Sequence, residues 1–259
     1  MKAMILAGGF GSRLAEETHT VPKPMVEIGE KPILWHIMKI YEAHGITDFV
    51  ICLGYKANYV KQYFLNYSNS LSDFSLSLAD GSVSVHSRKT ENWTIDFIDT
   101  GLHTMTGGRI KRAIEALNIR ETFCLTYGDG LSDVDISASV EHHFAERKKC
   151  TVTAVQPPGR FGVMDIDTNG LTTGFREKIV SDQYRINGGF FVVEPSVVGL
   201  IESDETVWED YPLRTLAEDN QLAAYKHDGF WQPMDTLRDK LLLQEYWEQG
   251  DVPWGVKES

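Results

Sequence analysis

MKAMILAGGFGSR, at residues 1–13, is an apolar run that ends in three glycines, a serine and an arginine. The apolar part, residues 1–7, favours a short buried β-strand that ends at Gly8 and Gly9. Glycines directly after a buried strand allow backbone N–H groups to approach a phosphate closely, because no Cβ atom intervenes. A helix that began at this turn would add the positive end of its dipole. The stretch therefore predicts a strand followed by an anion-binding turn.

Known phosphate-binding turns differ in their glycine spacing, and two of them do not fit. The P-loop pattern G-x-x-x-x-G-K-[ST] does not occur in this region. The dinucleotide pattern G-x-G-x-x-G matches at Gly9 and Gly11 but fails at Leu14, and prolines in VPKP at residues 21–24 would interrupt the helix that should follow. The pattern G-G-x-G-[ST]-R does fit, with Arg13 as a bidentate phosphate donor. A purely structural turn is the alternative, which Arg13 and the nearby Pro-flanked lysine disfavour.

Strand-like and helix-like segments alternate beyond the glycine turn. The strand candidates lie at 48–54, 94–100, 122–128 and 150–156, and the helix candidates at 32–44, 59–67 and 136–148. Such alternation is typical of a mainly parallel sheet with helices on both faces. We therefore expect the fold class to be α/β, a Rossmann-like three-layer fold around a mainly parallel mixed sheet.

The pattern changes at about residue 158, where short alternating stretches are separated by turn residues. GVMDID, LTTGFRE and NGGFFVVEP predict antiparallel or mixed strands that join the same sheet. No Pro- or Ser-rich linker interrupts the chain, so we expect a single domain over residues 1–259 with a smaller mixed β/α portion from about 158. Residues 237–247 predict a C-terminal helical tail. The tail packs on its own domain or on another copy of the chain, and we favour the first interpretation.

The charge balance is acidic, with 25 Lys and Arg against 37 Asp and Glu and a net charge of −12 over 259 residues. Duplex binders normally present a basic face, so we expect no nucleic-acid partner. No apolar run approaches the roughly 18–20 residues of a membrane span. The short apolar start is not typical of a secretory signal, so we also expect no membrane partner. Cys52, Cys124 and Cys150 lie in apolar runs, which is typical of reduced thiols in a cytoplasmic protein.

Longer segments of the sequence resemble one enzyme family. LAGGFGSRLAEET at 6–18 and PKPMVEIGEKPILWHIMKIY at 22–41 resemble the opening of the sugar nucleotidyltransferases, and within them most closely the glucose-1-phosphate cytidylyltransferases. Further similar segments are DTGLHTMTGGRIKR (99–112), TYGDGLSDVDI (126–136), PPGRFGVMDI (157–166), RINGGFFVVEPSV (185–197) and GFWQPMDTLRDK (229–240). The resemblance therefore covers nearly the whole chain.

The resemblance implies a GT-A-like nucleotidyltransferase fold and an Mg²⁺-dependent enzyme. The implied reaction transfers CMP from CTP to α-D-glucose 1-phosphate, giving CDP-glucose and pyrophosphate for the synthesis of surface-polysaccharide deoxysugars. A homo-oligomer is also implied. Two other functions stay open: a cytidylyltransferase for another phosphate or phosphonate acceptor, and a non-catalytic nucleotide-binding regulatory domain. The second is disfavoured, because such a domain would be expected to lose Arg13, Lys23 or a metal-binding aspartate, and all are present.

Two aspartates are candidate metal ligands. Asp129 lies between Gly128 and Gly130 after an apolar strand, at the end where open α/β sheets bind ligands. A simple Asp-Gly turn is the structural alternative. Asp235 precedes the apolar helical pattern that starts at Leu237, and its alternative is a helix N-cap. The resemblance places metal ligands on both aspartates, and Mg²⁺ suits one or two carboxylates together with phosphate oxygens.

The resemblance also assigns substrate contacts. Arg13 and Lys23 are the candidate catalytic residues, Arg13 at the departing pyrophosphate and Lys23 at the transferred phosphorus. The nucleotide-binding candidates are Leu6, Ala7, Gly8, Gly9, Phe10, Gly11, Ser12, Arg13, Thr104, Arg109 and Gly128. The sugar-phosphate candidates are Lys23, Glu177, Lys178 and Gly188. Ile179 stands where the family usually has proline, which leaves the identity of the acceptor open.

Three positions near these candidates have structural alternatives that the sequence leaves open. Arg109 follows Gly107–Gly108 and could be the solvated start of a basic helix. Gly188, beside Gly189, could leave room for a ligand or form a β-bulge. Trp231 could pack on a sugar ring or lie in the core.

Overall fold

The computed structural model describes residues 1–87, 90–157, 163–168, 170–176 and 184–255. The described residues form a central seven-stranded sheet. Its strands are β1 (Lys2–Leu6), β2 (Asp48–Leu53), β3 (Thr94–Asp99), β4 (Phe123–Tyr127), β5 (Cys150–Val155), β6 (Ile186–Val193) and β7 (Leu222–His227). Across the sheet the order is β7-β5-β6-β4-β1-β2-β3. Strand β6 is antiparallel to β4 and β5, and the other neighbouring pairs are parallel, so β1, β2, β3 and β4 all end at one edge.

Side chains of β1 alternate between the two faces of the sheet, as the pleat of a strand requires. Ala3 and Ile5 lie in one hydrophobic core, and Met4 and Leu6 lie in a second core on the opposite face. All four are buried. A strand that is apolar on both faces is typical of a central parallel strand, and the apolar run before the glycines forms an interior strand of the sheet.

Helices cover both faces of the sheet. They are α1 (Ile33–Glu42), α2 (Ala57–Leu71), α3 (Thr106–Leu117), α4 (Ile136–Glu146), α5 (Tyr211–Glu218) and α6 (Leu237–Glu248). Helix α1 places Ile33, Ile37 and Tyr41 on one side, at four-residue steps, and buries them in the first core. Helix α3 buries Ile110 and Ile114 in the second core. In the described part of the chain, no helix is long and apolar enough to cross a membrane.

Short elements complete the described chain. Ala15–Thr18 is a single helical turn, and Ser12–Leu14, Lys23–Met25 and Pro195–Leu200 are 3₁₀ turns. Two-stranded ribbons pair Glu27–Ile28 with Lys31–Pro32, Phe74–Leu76 with Val83–Val85, Val163–Ile166 with Thr172–Arg176, and Gly130–Ser132 with Trp231–Pro233. The last ribbon joins distant parts of the chain and shapes the site described below.

The prediction for the region after residue 158 is partly wrong. Strand β6 does join the main sheet, but Val163–Ile166 and Thr172–Arg176 pair with one another as a separate antiparallel ribbon. Only a short turn separates these two strands, so each finds its partner locally and no crossover is needed. Sequence alternation cannot distinguish such a local hairpin from two strands of a larger sheet. Residues 158–162 lie outside the described part.

The C-terminal tail packs on its own domain, as we favoured from the sequence. Helix α6 buries Leu243 in the first core. After the helix, the indole N–H of Trp254 donates to His36 Nδ1 at 3.3 Å. Trp247 lies so close to Gly29 that a Cβ atom on the glycine would be 2.2 Å from the indole nitrogen. These contacts fix the helix that follows Asp235.

The three cysteines, Cys52, Cys124 and Cys150, are buried free thiols in the sheet. Burial raises the pKa of the Cys52 and Cys124 thiols to about 12. They therefore stay protonated near neutral pH and pack as small apolar side chains.

Candidate active site

A cleft of about 610 Å³ opens at the edge of the sheet where β1 and β4 end. The turns after these two strands, the segment before α3 and the start of β6 form its walls. Ligands bind at this edge of open α/β sheets. The predicted nucleotide-binding residues that line the cleft are Leu6, Ala7, Gly8, Gly9, Phe10, Gly11, Ser12, Thr104, Arg109 and Gly128. The other predicted residues that line it are Lys23, Asp129, Gly188 and Asp235.

Lys23 lies between the two predicted metal ligands. It begins a 3₁₀ turn and is flanked by Pro22 and Pro24. Its ammonium group donates to Asp129 Oδ2 at 2.6 Å and to Asp235 Oδ1 at 2.8 Å. Burial alone would lower the pKa of Lys23, but the charges and hydrogen bonds of the two aspartates raise it above its ordinary value. The lysine is therefore positively charged in this position.

Asp129 follows β4 directly, and the backbone brings it opposite Asp235. The carbonyl oxygen of Asp129 accepts a hydrogen bond from the Met234 N–H at 2.8 Å. The segment after Asp129, Gly130–Ser132, pairs antiparallel with the segment before Met234, Trp231–Pro233. This ribbon brings together two aspartates that are far apart in the sequence.

Asp235 precedes α6 but is not its N-cap, so that alternative is wrong. Thr236 caps the helix: its hydroxyl accepts from the Asp239 N–H at 3.3 Å, and the Asp239 carboxylate accepts from the Thr236 N–H at 2.9 Å. The same carboxylate accepts from the Asp235 N–H at 3.2 Å. Asp239 thus holds the backbone of Asp235 while the Asp235 carboxylate faces Lys23.

Arg109 is a buried residue that binds the backbone around the cleft, and only 4% of it is exposed. Its guanidinium group donates to the carbonyl oxygens of Gly8 at 3.0 Å, Leu53 at 3.1 Å and Gly101 at 2.8 Å, and to Thr100 Oγ1 at 2.7 Å. Burial lowers its pKa below the ordinary value, but arginine remains charged in proteins. The alternative of a solvated helix start is therefore wrong, and the residue holds the glycine turn in place.

The glycines of the turn after β1 have different surroundings. A Cβ atom on Gly8 would lie 2.1 Å from Arg109 Nη1 and 2.9 Å from the backbone nitrogen of Gly54, so no larger residue fits there. A Cβ atom on Gly9 would meet no protein atom within 4 Å. Gly11 has a φ of +64°, which favours glycine. The turn is thus packed on one side and open to the cleft on the other.

Two other predicted nucleotide contacts, Phe10 and Thr104, also line the cleft. Phe10 is 47% exposed, and its ring lies 5.3 Å from Tyr55 and 5.9 Å from His103, measured between centroids. Thr104 is buried in the segment before α3. The side chain of Arg13 lies outside the described part of the structure.

Comparison with known proteins identifies the family. The sequence model described as "Nucleotidyl transferase" matches residues 2–248. The chain belongs to the nucleotidyl transferase family. It is 54% identical over 254 residues to the "Glucose-1-phosphate cytidylyltransferase" of Salmonella typhi, with 98% of each chain covered. It is 42% identical over 257 residues to the "Probable glucose-1-phosphate cytidylyltransferase" of Bacillus subtilis, with 99% of this chain and 100% of the relative covered.

A solved structure shares the fold of this nucleotidyl transferase. The crystal structure of HddC from Yersinia pseudotuberculosis has a TM-score of 0.68 at 23% identity, covering 95% of this chain and 99% of its own. The predicted α/β fold class is therefore confirmed. The resemblance to the glucose-1-phosphate cytidylyltransferases and the expected enzyme class, nucleotidyltransferase, are confirmed by the sequence relatives.

The two aspartates of this nucleotidyl transferase fit a hard divalent cation. Enzymes of the family typically use a divalent metal. Asp129 and Asp235 already converge on one positive group, the ammonium of Lys23. Within the described residues, no group of three or more His, Cys, Asp and Glu side chains could hold a metal. Two carboxylates completed by substrate phosphates are the donor set that Mg²⁺ prefers.

The predicted sugar-phosphate end is described only in part. Glu177, Lys178 and Ile179 lie outside the described residues. Between Asn187 and Phe191 the pairing of β6 with β5 shifts register, so Gly188 lies in an irregular part of the strand. The Gly188 carbonyl oxygen accepts from the Trp231 indole N–H at 2.7 Å. Trp231 is half-buried and lines the cleft, with its polar end bound to the backbone.

A polar network in the cleft wall was not predicted from the sequence. The carboxylate of Glu209 accepts hydrogen bonds from Thr106 Oγ1 at 2.6 Å and from the Tyr127 hydroxyl, and Asn187 Nδ2 donates to that hydroxyl at 3.3 Å. Burial and the nearby Glu209 carboxylate raise the pKa of Tyr127 above its ordinary value. The network joins the starts of α3 and β6 to the end of β4. No local motif marks Glu209, and the one signal was a tyrosine at a strand end.

Proposed function

We propose that this nucleotidyl transferase transfers CMP from CTP to α-D-glucose 1-phosphate, giving CDP-glucose and pyrophosphate. The observation that carries the proposal is the convergence of Lys23, Asp129 and Asp235 beside the glycine turn. The choice of substrates rests on the relatives named as glucose-1-phosphate cytidylyltransferases. A cytidylyltransferase with another acceptor is the second candidate, because Ile179 departs from the usual family pattern.

The proposed chemistry is a displacement at phosphorus. An oxygen of the sugar phosphate attacks the α-phosphorus of CTP, the bond from that phosphorus to the bridging oxygen of the β-phosphate breaks, and pyrophosphate leaves with the electron pair. The attacking phosphate is largely ionised near neutral pH, so no strong general base is required. Catalysis then consists of positioning and of neutralising charge.

Charge neutralisation is the role that we assign to the basic residues. Lys23 is held as a cation by two carboxylates, which suits a group that stabilises negative charge at the transferred phosphorus. Arg13 follows the glycine turn in sequence and would bind the departing pyrophosphate as a bidentate donor. Asp129 and Asp235 would hold Mg²⁺. When bound, this ion would neutralise phosphate oxygens of the nucleotide.

Binding of the nucleotide is assigned to the glycine turn and the surrounding walls. Backbone groups at Leu6–Ser12 and at Gly128, with Thr104 nearby, would contact the nucleotide, and Arg109 would support the turn. Backbone groups can distinguish the amino donor of cytosine from a carbonyl acceptor. The acceptor would lie toward Gly188, with Glu177 and Lys178 as sugar-phosphate contacts.

The resemblance supports three broader proposals. The enzyme would work in the cytoplasm, where its buried free thiols remain reduced. It would form a homo-oligomer. Its product would supply the synthesis of surface-polysaccharide deoxysugars.

The test is pyrophosphate release in the presence of Mg²⁺, with CTP, UTP, dTTP and ATP each combined with glucose 1-phosphate and a panel of other phosphates and phosphonates. Release confined to CTP with glucose 1-phosphate is the expected result. Release with CTP and only another acceptor would favour the second candidate. Absence of release with every pair, from folded protein that binds CTP, would favour a regulatory domain.

A further inference from the structure

The ammonium group of Lys23 lies where a cation shared by the two aspartates would have to lie. Its nitrogen is 2.6 Å from Asp129 Oδ2 and 2.8 Å from Asp235 Oδ1. A divalent ion bound by both carboxylates needs the space between the same two side chains, because Mg²⁺–oxygen distances are about 2.0–2.1 Å. An ammonium group and a divalent cation in contact would also repel each other strongly in a partly buried site.

The geometry points to mutual exclusion: Lys23 and a divalent cation compete for Asp129 and Asp235, and the cation binds well only when a nucleotide draws the lysine away. This inference rests on the proposed function, since it takes the two aspartates as the metal ligands. It assigns Lys23 a second task, which is to set the order in which metal and nucleotide assemble.

The surroundings of Lys23 restrict how it can leave the aspartates. Its backbone lies in a buried turn between two prolines, so the movement falls to the side chain. The stem of that side chain packs against the glycine turn, where a Cβ atom on Gly11 would lie 3.0 Å from Lys23 Cβ. The ammonium group is therefore within reach of phosphates bound by that turn. Nucleotide phosphates would give the lysine a new partner and the metal additional ligands, so metal and nucleotide should bind with positive coupling.

The test is direct Mn²⁺ binding, measured by electron paramagnetic resonance on the full chain without turnover. Titrations are run with and without cytidine 5′-(α,β-methylene)triphosphate, with Mn²⁺ binding to the analogue alone subtracted. We expect weak Mn²⁺ binding to the wild-type protein alone and binding about tenfold tighter or more for Lys23→Met. We also expect the analogue to strengthen Mn²⁺ binding more in the wild-type protein than in Lys23→Met.

Matched variants identify the site. Lys2→Met removes the same charge from an ion pair with Asp96 at the opposite end of β1, and it should leave Mn²⁺ affinity unchanged. Asp129→Asn combined with Lys23→Met should abolish the gain. If Lys23→Met does not fold, Lys23→Gln replaces it.

Two results would overturn the inference. One is equal Mn²⁺ affinity in the wild-type and Lys23 variants without nucleotide. The other is a gain that survives Asp129→Asn. Neither readout depends on catalysis. If Mn²⁺ binds as expected but no pyrophosphate is released, the proposed reaction alone is refuted.

Discussion

The guanidinium group of Arg109 donates to the carbonyl oxygen of Gly8 at 3.0 Å, which ties helix α3 to the turn that follows β1. The same group binds the carbonyl oxygen of Leu53 at the end of β2. A single buried side chain therefore joins the turn after β1, the end of β2 and the segment before α3. Its hydrogen bonds stabilise the shape of the glycine turn.

Replacing Arg109 should cost stability and nucleotide affinity together. Arg109→Met would leave buried carbonyl oxygens without donors, and we expect a loss of about 2–4 kcal/mol in the free energy of unfolding. Urea denaturation and the KM for CTP measure the two effects. Arg120→Met, at an exposed position after α3, is the control and should stay within about 0.5 kcal/mol of the wild-type protein. A wild-type unfolding curve for Arg109→Met would contradict the structural role.

Gly8 and Gly9 should respond oppositely to the same substitution. Gly8→Ala places a methyl group 2.1 Å from Arg109 Nη1 and 2.9 Å from a backbone nitrogen, so the turn must deform. Gly9→Ala places it in open space. We expect Gly8→Ala to lower the melting temperature by several degrees, consistent with about 1–3 kcal/mol of strain. Gly9→Ala should melt within about a degree of the wild-type protein, and equal loss in both variants would contradict this packing.

Lys23→Ala should keep the fold and lose most turnover. The side chain of Lys23 lines the open cleft and is not part of a hydrophobic core. The charge that it supplies at phosphorus acts in the transition state. We expect kcat to fall about 10²-fold or more. Lys2→Ala, which removes a lysine from the far end of β1, is the matched control. Near-normal kcat for folded Lys23→Ala would remove this residue from the mechanism.

His36 should make the protein less stable in acid. Its Nε2 donates to the Ile28 carbonyl oxygen at 2.9 Å, and its Nδ1 accepts from the Trp254 indole N–H. The contact at Nδ1 requires a neutral ring, and burial lowers the pKa of His36 to about 4. The unfolded chain has a pKa near 6.5 at this residue, so it binds the proton first as the pH falls. This stability contribution is complete above pH 6.5 and is lost between pH 6.5 and 4.

The expected loss from His36 alone is about 2 kcal/mol between pH 7 and pH 5. Urea unfolding at both pH values measures it in the wild-type protein and in His36→Gln. The variant should be less stable at pH 7 but should lose less stability on acidification. His86→Gln, at an exposed histidine, should keep the wild-type dependence. Identical pH dependence in wild-type and His36→Gln would contradict the assignment.

Local sequence predicted the parts of the site that local geometry determines. The glycine turn follows a buried strand because the apolar run has to end where the backbone leaves the sheet. Asp129 lies at the edge of the sheet because the buried strand β4 ends just before it. These predictions needed only the order of residues along one segment, and the structure places both segments at the cleft.

Other relationships required the tertiary fold. Lys23 is 106 positions from Asp129 and 212 from Asp235, and no spacing rule connects them. The ribbon of Gly130–Ser132 and Trp231–Pro233 brings the two aspartates together. The resemblance assigned Arg109 to the nucleotide. In the structure its guanidinium group donates to carbonyl oxygens and to the Thr100 hydroxyl, all far from Arg109 or outside its helix. Hydrogen bonds to distant backbone atoms leave no pattern in the sequence.

The most direct test of the account is pyrophosphate release from CTP and glucose 1-phosphate by the wild-type protein and by Asp129→Asn/Asp235→Asn. These isosteric changes remove both carboxylate charges that converge on Lys23. We expect release by the wild-type protein with CTP and a loss of at least about 10²-fold in the folded double variant. Equal release by the two proteins would contradict it.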